Sequence, residues 1–505
     1  AQEEVAARIF LEQADQLVDL VYEDPTTLES AALVMGLTVE LEGPFPRSGG
    51  EGIAANSEVV ETAFSDLVLL QGSVSDPVNL DENRLVMIRL QEHLPAAIKP
   101  LETVHDEIVA TLTENLARDN ARAEADALTG NAEARAVALE AAHKAAVLVK
   151  NENGALPLNT SALSRVAVIG PNSDITVLGG YSDEPRQTVS ILDGLKAEFG
   201  DRVDIVHSKG VTLTDNRSWW DDEVNLIDPE TNRAMIAEAV AAAQGTDLII
   251  LAIGGDESTS REAWSETHLG DRDDITLIGQ QRELVEALAE TGIPMVGVII
   301  SGRPLALTDV QDHFDAILYG WQLGQETGTA VADLLVGHVS PSGKMPVSVP
   351  KNVGQIPVFY NHKPTARRGY AFTDTAPLYA FGYGLSYSSF DISEPVLSES
   401  VIAADGETSV VVTVTNTGEM KADEIVQMYI RDEISSVTRP VMELKGFERV
   451  SLAPGESKQV ELAITPASLQ FYNREMERVV EPGEFTIMVG ASSQSHKSTT
   501  LTVSE

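Results

Sequence analysis

Between Glu257 and Arg272 the chain gathers four carboxylates, two arginines, a histidine and a tryptophan. Carboxylates accept hydrogen bonds from hydroxyls and can exchange protons, guanidinium groups donate, and an indole face packs on the apolar face of a pyranose. Residue types of this kind suit a sugar site. Trp264 reads equally as a subsite platform or as packing that anchors the loop, since a solvated loop has little use for an indole. Arg261 and Arg272 read as donors to sugar hydroxyls or as partners of local carboxylates such as Glu262 and Asp273. His268 reads as a hydrogen-bonding support and Asp271 as a turn residue. Glu266, taken alone, is an exposed loop carboxylate.

The elements that must position this loop are legible around it. The run Leu248-Ile249-Ile250-Leu251-Ala252-Ile253, broken at Gly254-Gly255, predicts a buried strand of a parallel sheet. A long polar loop at the carboxyl end of such a strand is where open α/β sheets place their ligand contacts. Further strands are expected at Val166–Gly170, Val203–Val206, Met295–Ile300 and Ala316–Leu318. Helical patterns lie at Arg233–Ala243 and Gln281–Ala289. Alternation of strand and helix predicts a parallel sheet with helices on both faces. Ser301-Gly302-Arg303-Pro304-Leu305 and Gly324-Gln325-Glu326-Thr327-Gly328 read as turn-rich loops after later strands. A proline-rich connection then leads into segments of period two, at Val411–Gly418, Ile425–Ile430 and Phe485–Gly490. With turns at Pro454-Gly455 and Pro482-Gly483, these predict an antiparallel β-sandwich.

The first 120 residues have another texture. A helix is expected over Val5–Val21, stopped by Asp24-Pro25, and a second through Val59–Phe64. Short strands are expected at Leu37–Leu41, from its alternation, and at Leu85–Leu90. A helix rich in Ala, Glu and Arg should run from Leu101 past Arg118.

The motif Ser265-Glu266-Thr267-His268-Leu269-Gly270-Asp271-Arg272 resembles the acid/base loop in the second domain of family 3 glycoside hydrolases, the β-glucosidase and β-xylosidase group. The resemblance implies that Glu266 protonates the departing glycosidic oxygen. Ala141 to Glu152 with Leu156-Pro157-Leu158 resembles the linker into that domain, and Phe381-Gly382-Tyr383-Gly384-Leu385-Ser386-Tyr387 resembles its exit motif. The sandwich resembles the family's fibronectin type III-like domain. The expected organisation is an α+β, mostly helical segment over 1–125, an α/β parallel-sheet sandwich domain over 126–350, a proline-rich connection over 351–394 and an all-β fibronectin type III-like sandwich over 395–505. Residues 1–125 resemble the tail of a periplasmic parvulin-type peptidyl-prolyl isomerase. That fold uses paired histidines, whereas only His93 and His105 occur here, so a packing or chaperone-like role without isomerase activity is expected.

A family 3 hydrolase normally opens with a (β/α)₈ barrel carrying an aspartate nucleophile. A barrel needs ~200 residues or more, and fewer than 140 precede the α/β segment, so the barrel is expected to be missing. Retention of configuration needs two carboxyl groups ~5–5.5 Å apart, one to attack and one to move the proton. Glu266 suits the second role. Asp66, in Phe64-Ser65-Asp66-Leu67, lacks both the apolar strand before it and the aromatic after it that the nucleophile turn would have. Two readings follow: the acid/base half of a β-glucosidase-like retaining hydrolase, whose nucleophile barrel is a separate chain or has been lost from this sequence, or a non-catalytic carbohydrate-binding or assembly module. A barrel-bearing partner chain or a homodimer is the expected partner. The ligand in either case is a β-linked oligosaccharide or β-glucoside.

Composition excludes other classes. Of 505 residues, 78 are acidic and 35 basic, a net charge of −43. Nucleic acid and anionic membranes require clustered Lys and Arg, so neither is an expected partner. Cysteine is absent, which removes disulfides, thiolate metal sites and a cysteine nucleophile. No Gly-Lys-Ser/Thr follows Gly254-Gly255, so nucleotide binding is not expected. No cofactor and no metal site is predicted. No apolar run approaches the ~20 residues of a spanning helix. Ala1-Gln2-Glu3 is compatible with a removed signal, and a periplasmic or secreted location is expected.

Overall fold

The computed structural model describes residues 2–81, 84–95, 100–128, 130–182, 185–215, 221–260, 262, 268–365 and 373–505. They fall into two compact units, Ala1–Asp119 and Asn120–Glu505.

In the first unit, helices α1 (Gln2–Glu23), α2 (Glu29–Met35) and α3 (Ser57–Ala63) precede a hairpin of β1 (Val78–Asp81) and β2 (Arg84–Val86). A long helix, α4 (Leu101–Leu128), follows. Val21, Ala31, Val74 and Met87 form a small core. Two strand expectations are corrected here. Leu37–Leu41 is irregular backbone, with Leu37, Val39 and Leu41 exposed. Of the second run only Leu85 and Val86 join a ladder, in β2 (Arg84–Val86). Alternation yields a strand only where a neighbour takes up the backbone N–H and C=O groups, and among the described residues no ladder forms on 37–41.

The second unit begins within α4 and continues with α5 (Ala132–Ala145), whose N-cap Asn131 accepts from the Ala134 amide. The sheet comprises β3 (Val147–Asn151), β4 (Arg165–Ile169), β5 (Asp204–Ser208), β6 (Leu248–Gly254), β7 (Met295–Ile300) and β8 (Ala316–Trp321). Its order is β3-β8-β7-β6-β4-β5. All neighbours are parallel except β3, which pairs antiparallel with β8. The segment resembling a linker thus contributes an edge strand.

Successive side chains of a strand point to opposite faces, and both faces here are apolar. Val166, Val168, Ile250 and Ala252 pack with Ala142 of α5, Leu195 of α6 (Ile191–Phe199) and Leu334 of α10 (Thr327–Val336). Ala167, Ile169, Ile249 and Leu251 pack with Ile236 of α7 (Pro229–Ala243) and Leu284 of α9 (Gln281–Ala289). A short helix, α8 (Glu257–Ser260), is a single turn that begins the loop after β6.

Beyond residue 388 the chain forms a sandwich. One sheet orders β10 (Val396–Leu397), β12 (Thr408–Asn416) and β15 (Ser457–Ile464), with β9 (Phe390–Ile392) also on β12. The other orders β11 (Val401–Ile402), β19 (His496–Val503), β18 (Gly483–Gly490), β13 (Ala422–Asp432) and β14 (Glu443–Leu452), while β16 (Phe471–Tyr472) and β17 (Arg478–Val479) make a separate hairpin. The inward residues of the long strands, among them Val412, Val426, Val460 and Ile487, close its core.

Candidate functional site

The chain leaves β4 towards β5 on one side and leaves β6 towards β7 on the other, so the order reverses between β4 and β6. The loops after these two strands must diverge at the carboxyl edge, and open α/β sheets bind ligands in the crevice this creates. The polar loop after β6 starts at that point.

Its base is held tightly. Gly254 has φ +143°, and a Cβ there would lie 1.9 Å from the Ile300 carbonyl oxygen of β7, so only glycine fits. Gln281, fully buried on α9, accepts from the Gly254 amide at 2.8 Å and donates through Nε2 to the carbonyls of Gly254 (2.8 Å) and Ile278 (3.0 Å). One side chain thereby satisfies the backbone groups that the end of the strand leaves open. Asp256 and Thr259 close the first turn reciprocally: Thr259 Oγ1 accepts from the Asp256 amide (2.9 Å) and Asp256 Oδ1 from the Thr259 amide (3.1 Å). Two bonds tie the loop to the one after β4. Asn172 Nδ2 donates to the Gly255 carbonyl at 2.9 Å, and Glu257 Oε1 accepts from the Leu178 amide at 3.0 Å.

The returning leg is built around His268. The ring is buried, and its Nδ1 accepts from the Gly270 amide at 2.9 Å, which leaves the proton of the neutral ring on Nε2. The Gly270 carbonyl accepts from Arg303 Nη2, on the loop after β7. Arg272 Nη2 donates to the Thr276 carbonyl at 3.0 Å, and its buried Nε has no partner among the described residues. Burial holds both guanidinium groups below their ordinary range. Arg303 lowers Arg272 further while Asp274 opposes that shift, and Asp271 opposes the shift at Arg303. A half-buried Trp321 ends β8 at φ +50°, a left-handed conformation rare for an aromatic residue. Its ring lies 4.6 Å from that of Tyr319, whose hydroxyl accepts from the Leu305 amide at 2.7 Å.

Of the residues singled out in the sequence, His268 and Arg272 stand together at this edge. Arg261, Trp264 and Glu266 lie outside the described residues; Ser260 and His268 bracket them. Sequence reasoning did not pick out Asn172, Arg303 or Trp321. The only local signals were a turn, Ser301-Gly302-Arg303, directly after a strand and a tryptophan directly after an apolar run. Guanidinium donors, buried carbonyls and an indole at one edge can bind a hydroxyl-rich ligand.

Residues 146–387 match the glycosyl hydrolase family 3 C-terminal domain, and residues 424–493 match a fibronectin type III-like domain. The sheet is a family 3 C-terminal domain. A β-xylosidase of Formosa agariphila is 41% identical over 389 residues, 74% of this chain and 51% of that protein. A periplasmic β-glucosidase of Salmonella typhimurium is 39% identical over 393 residues, 73% of this chain and 50% of its own length. A solved β-glucosidase from Erythrobacter marinus superposes with a TM-score of 0.73 at 40% identity, covering 76% of this chain and 52% of that one. The chain therefore spans about half the length of the relatives it matches. In the family 3 domain the edge that carries His268 and Arg303 is the carboxyl edge of the sheet. Among the described residues no helix is long and apolar enough to cross a membrane.

Proposed function

We propose that the family 3 domain is the acid/base half of a retaining β-glycoside hydrolase, β-glucosidase-like in its substrate. In this reading Glu266 is the acid/base, and the attacking carboxylate comes from a barrel domain outside these 505 residues, on a partner chain or elsewhere. Glu266 gives a proton to the glycosidic oxygen as the bond to the anomeric carbon breaks. It then takes one from the water that releases the glycosyl group from the nucleophile. To be protonated near neutral pH, Glu266 needs its pKa raised, by burial or by the neighbouring nucleophile. Trp264 stacks on the sugar, and Arg261, Arg272 and His268 hold its hydroxyls or the loop itself.

The observation that carries this reading is the position of the loop: its described ends, Ser260 and His268, stand at the carboxyl switch point of a family 3 domain. The names of the Formosa and Salmonella relatives support a β-xyloside or β-glucoside as substrate, and the Salmonella name supports a periplasmic or secreted location. The domain runs over 126–350, the connection over 351–394 and the sandwich over 395–505. Residues 1–125 are a packing or chaperone-like segment of parvulin type without isomerase activity.

The test is turnover of an aryl β-glucoside by the purified chain, alone and with a separately expressed family 3 barrel domain. The chain alone should bind sugar weakly and turn nothing over. The mixture should hydrolyse the glucoside, and Glu266→Gln should slow it, most where the departing phenol is a poor leaving group. Binding without turnover even in the mixture would favour a non-catalytic carbohydrate module. Ready turnover by the lone chain, unaffected by Glu266→Gln, would show that the chemistry lies elsewhere.

A further inference from the structure

The helix layer on one face of the sheet carries a cluster for which glycoside chemistry has no use. Helices α6 and α10 touch backbone to backbone, since a Cβ on Gly194 would lie 2.1 Å from the Gly328 carbonyl oxygen. One turn beyond Gly194, on the same side of α6, is Glu198, and Asp333 lies five residues beyond Gly328 on α10. α10 then stops at Gly337, which is left-handed at φ 84°, and the amides of Gly337 and His338 fold back onto the Asp333 carbonyl. That turn returns the His338 ring to the crossing, with Nε2 3.1 Å from Glu198 Oε2.

One oxygen of Glu198, one of Asp333 and one ring nitrogen of His338 all lie within 4.8 Å of one another. Both carboxylate side chains are 23% exposed. From α5, His143 Nε2 stands 2.9 Å from Asp333 Oδ2, with its side chain 14% exposed. Two carboxylates so close repel one another, and His143 and His338 each place one ring nitrogen against one of them. Arg202 Nη2 is 3.6 Å from Glu198 Oε1, the oxygen turned away from His338.

Imidazole nitrogen and carboxylate oxygen are the ligand atoms of zinc-class cations. Bond lengths near 2.0–2.2 Å set tetrahedral ligand atoms roughly 3.3 Å apart, close to the His338–Glu198 separation. We propose that Glu198, Asp333 and His338 bind a divalent cation of the zinc class, water taking the fourth position. His143 holds the Asp333 carboxylate from outside the coordination shell, the arrangement that commonly fixes a ligating group. Both helices start at the carboxyl edge and return along the sheet, so the cluster lies at the amino edge, away from the loop of Glu266. The cation therefore pins α6 to the end of α10 and takes no part in catalysis.

The test uses the untagged full chain, stripped with chelator, dialysed and titrated with Co²⁺. A single equivalent should produce the visible d–d absorption of a nitrogen–oxygen site of low coordination number, Zn²⁺ should bleach it, and Zn²⁺ should raise the melting temperature. His338→Ala should lose the band and the thermal shift while keeping its far-ultraviolet circular dichroism. If that variant fails to fold, the near-isosteric Glu198→Gln gives the same reading. His143→Ala should weaken Co²⁺ binding by roughly 10–100-fold, and His313→Ala, on the far side of the sheet fold, should leave it unchanged. No band in the unmodified chain, or a band that survives both His338→Ala and Glu198→Gln, would overturn the proposal.

Discussion

Replacing Gln281 with methionine tests whether the loop of Glu266 is held from beneath. Methionine has nearly the length of glutamine, so packing against α9 is largely preserved while the amide is lost. Three hydrogen bonds disappear: one accepted from the Gly254 amide and two donated to the carbonyls of Gly254 and Ile278. The site is fully buried, so water cannot replace them. A buried backbone group left without a partner costs about 1–3 kcal/mol. The Gly254 amide and carbonyl are the two groups most exposed to this loss, since each is held by the same side chain. The expected destabilisation is therefore about 2–4 kcal/mol, allowing for partial relaxation of the carbonyls. Urea unfolding followed by far-ultraviolet circular dichroism measures it as a lower midpoint at unchanged slope. Gln281→Glu, which keeps the shape but places a carboxylate against two carbonyls, should cost at least as much. A midpoint shift equivalent to less than about 0.5 kcal/mol, the range of ordinary surface changes, would refute the idea that Gln281 clamps the base of the loop.

Other outcomes follow from the same structure. Gly254→Ala places a Cβ against the Ile300 carbonyl at a φ that alanine resists, and soluble expression should fall sharply, read by fractionation of the lysate. Arg135 holds the buried Glu326 by paired bonds of 2.6 and 3.1 Å, so Arg135→Ala should cost roughly 1.5–3 kcal/mol at neutral pH. The Arg135 hydrogen bond, before any other cause, keeps Glu326 below the ordinary glutamate value of 4.5. The unfolded chain thus takes up this proton first on acidification. The contribution is complete above 4.5 and lost as pH falls through the lower folded value, and unfolding midpoints of the two proteins should converge there. Burial lowers the pKa of His207, whose Nε2 lies 3.0 Å from Ser173 Oγ. The unfolded imidazole therefore binds a proton more readily, and stability should fall as pH drops through 6.5, less steeply in His207→Gln by the same urea assay.

The inner strands of the parallel sheet were legible because they are buried on both faces, and Leu248–Gly254 therefore reads as an unbroken apolar run. Val147–Asn151 was not, because it follows α5 with no breaker between them and joins the sheet antiparallel at its edge. Leu37–Leu41 shows the opposite failure, an alternating pattern with no ladder partner among the described residues. At the candidate site, His268 and Arg272 were found because they share a motif with Glu266. Arg303 escaped because its bond to Gly270 spans 33 residues of chain and depends on β6 and β7 being neighbours. Trp321 acquires its place from a backbone conformation that no residue pattern encodes.

The leaving-group dependence of Glu266→Gln probes the acid/base assignment most directly. Measured on the chain combined with a barrel domain, glucosides with unactivated aglycones should lose ~10²–10⁴-fold in rate. Glucosides whose aglycone departs as a stable phenolate need little protonation and should lose far less in the step that breaks the glycosidic bond. A loss that is the same for every aglycone, or no loss at all, would contradict the assignment of Glu266 as the proton donor.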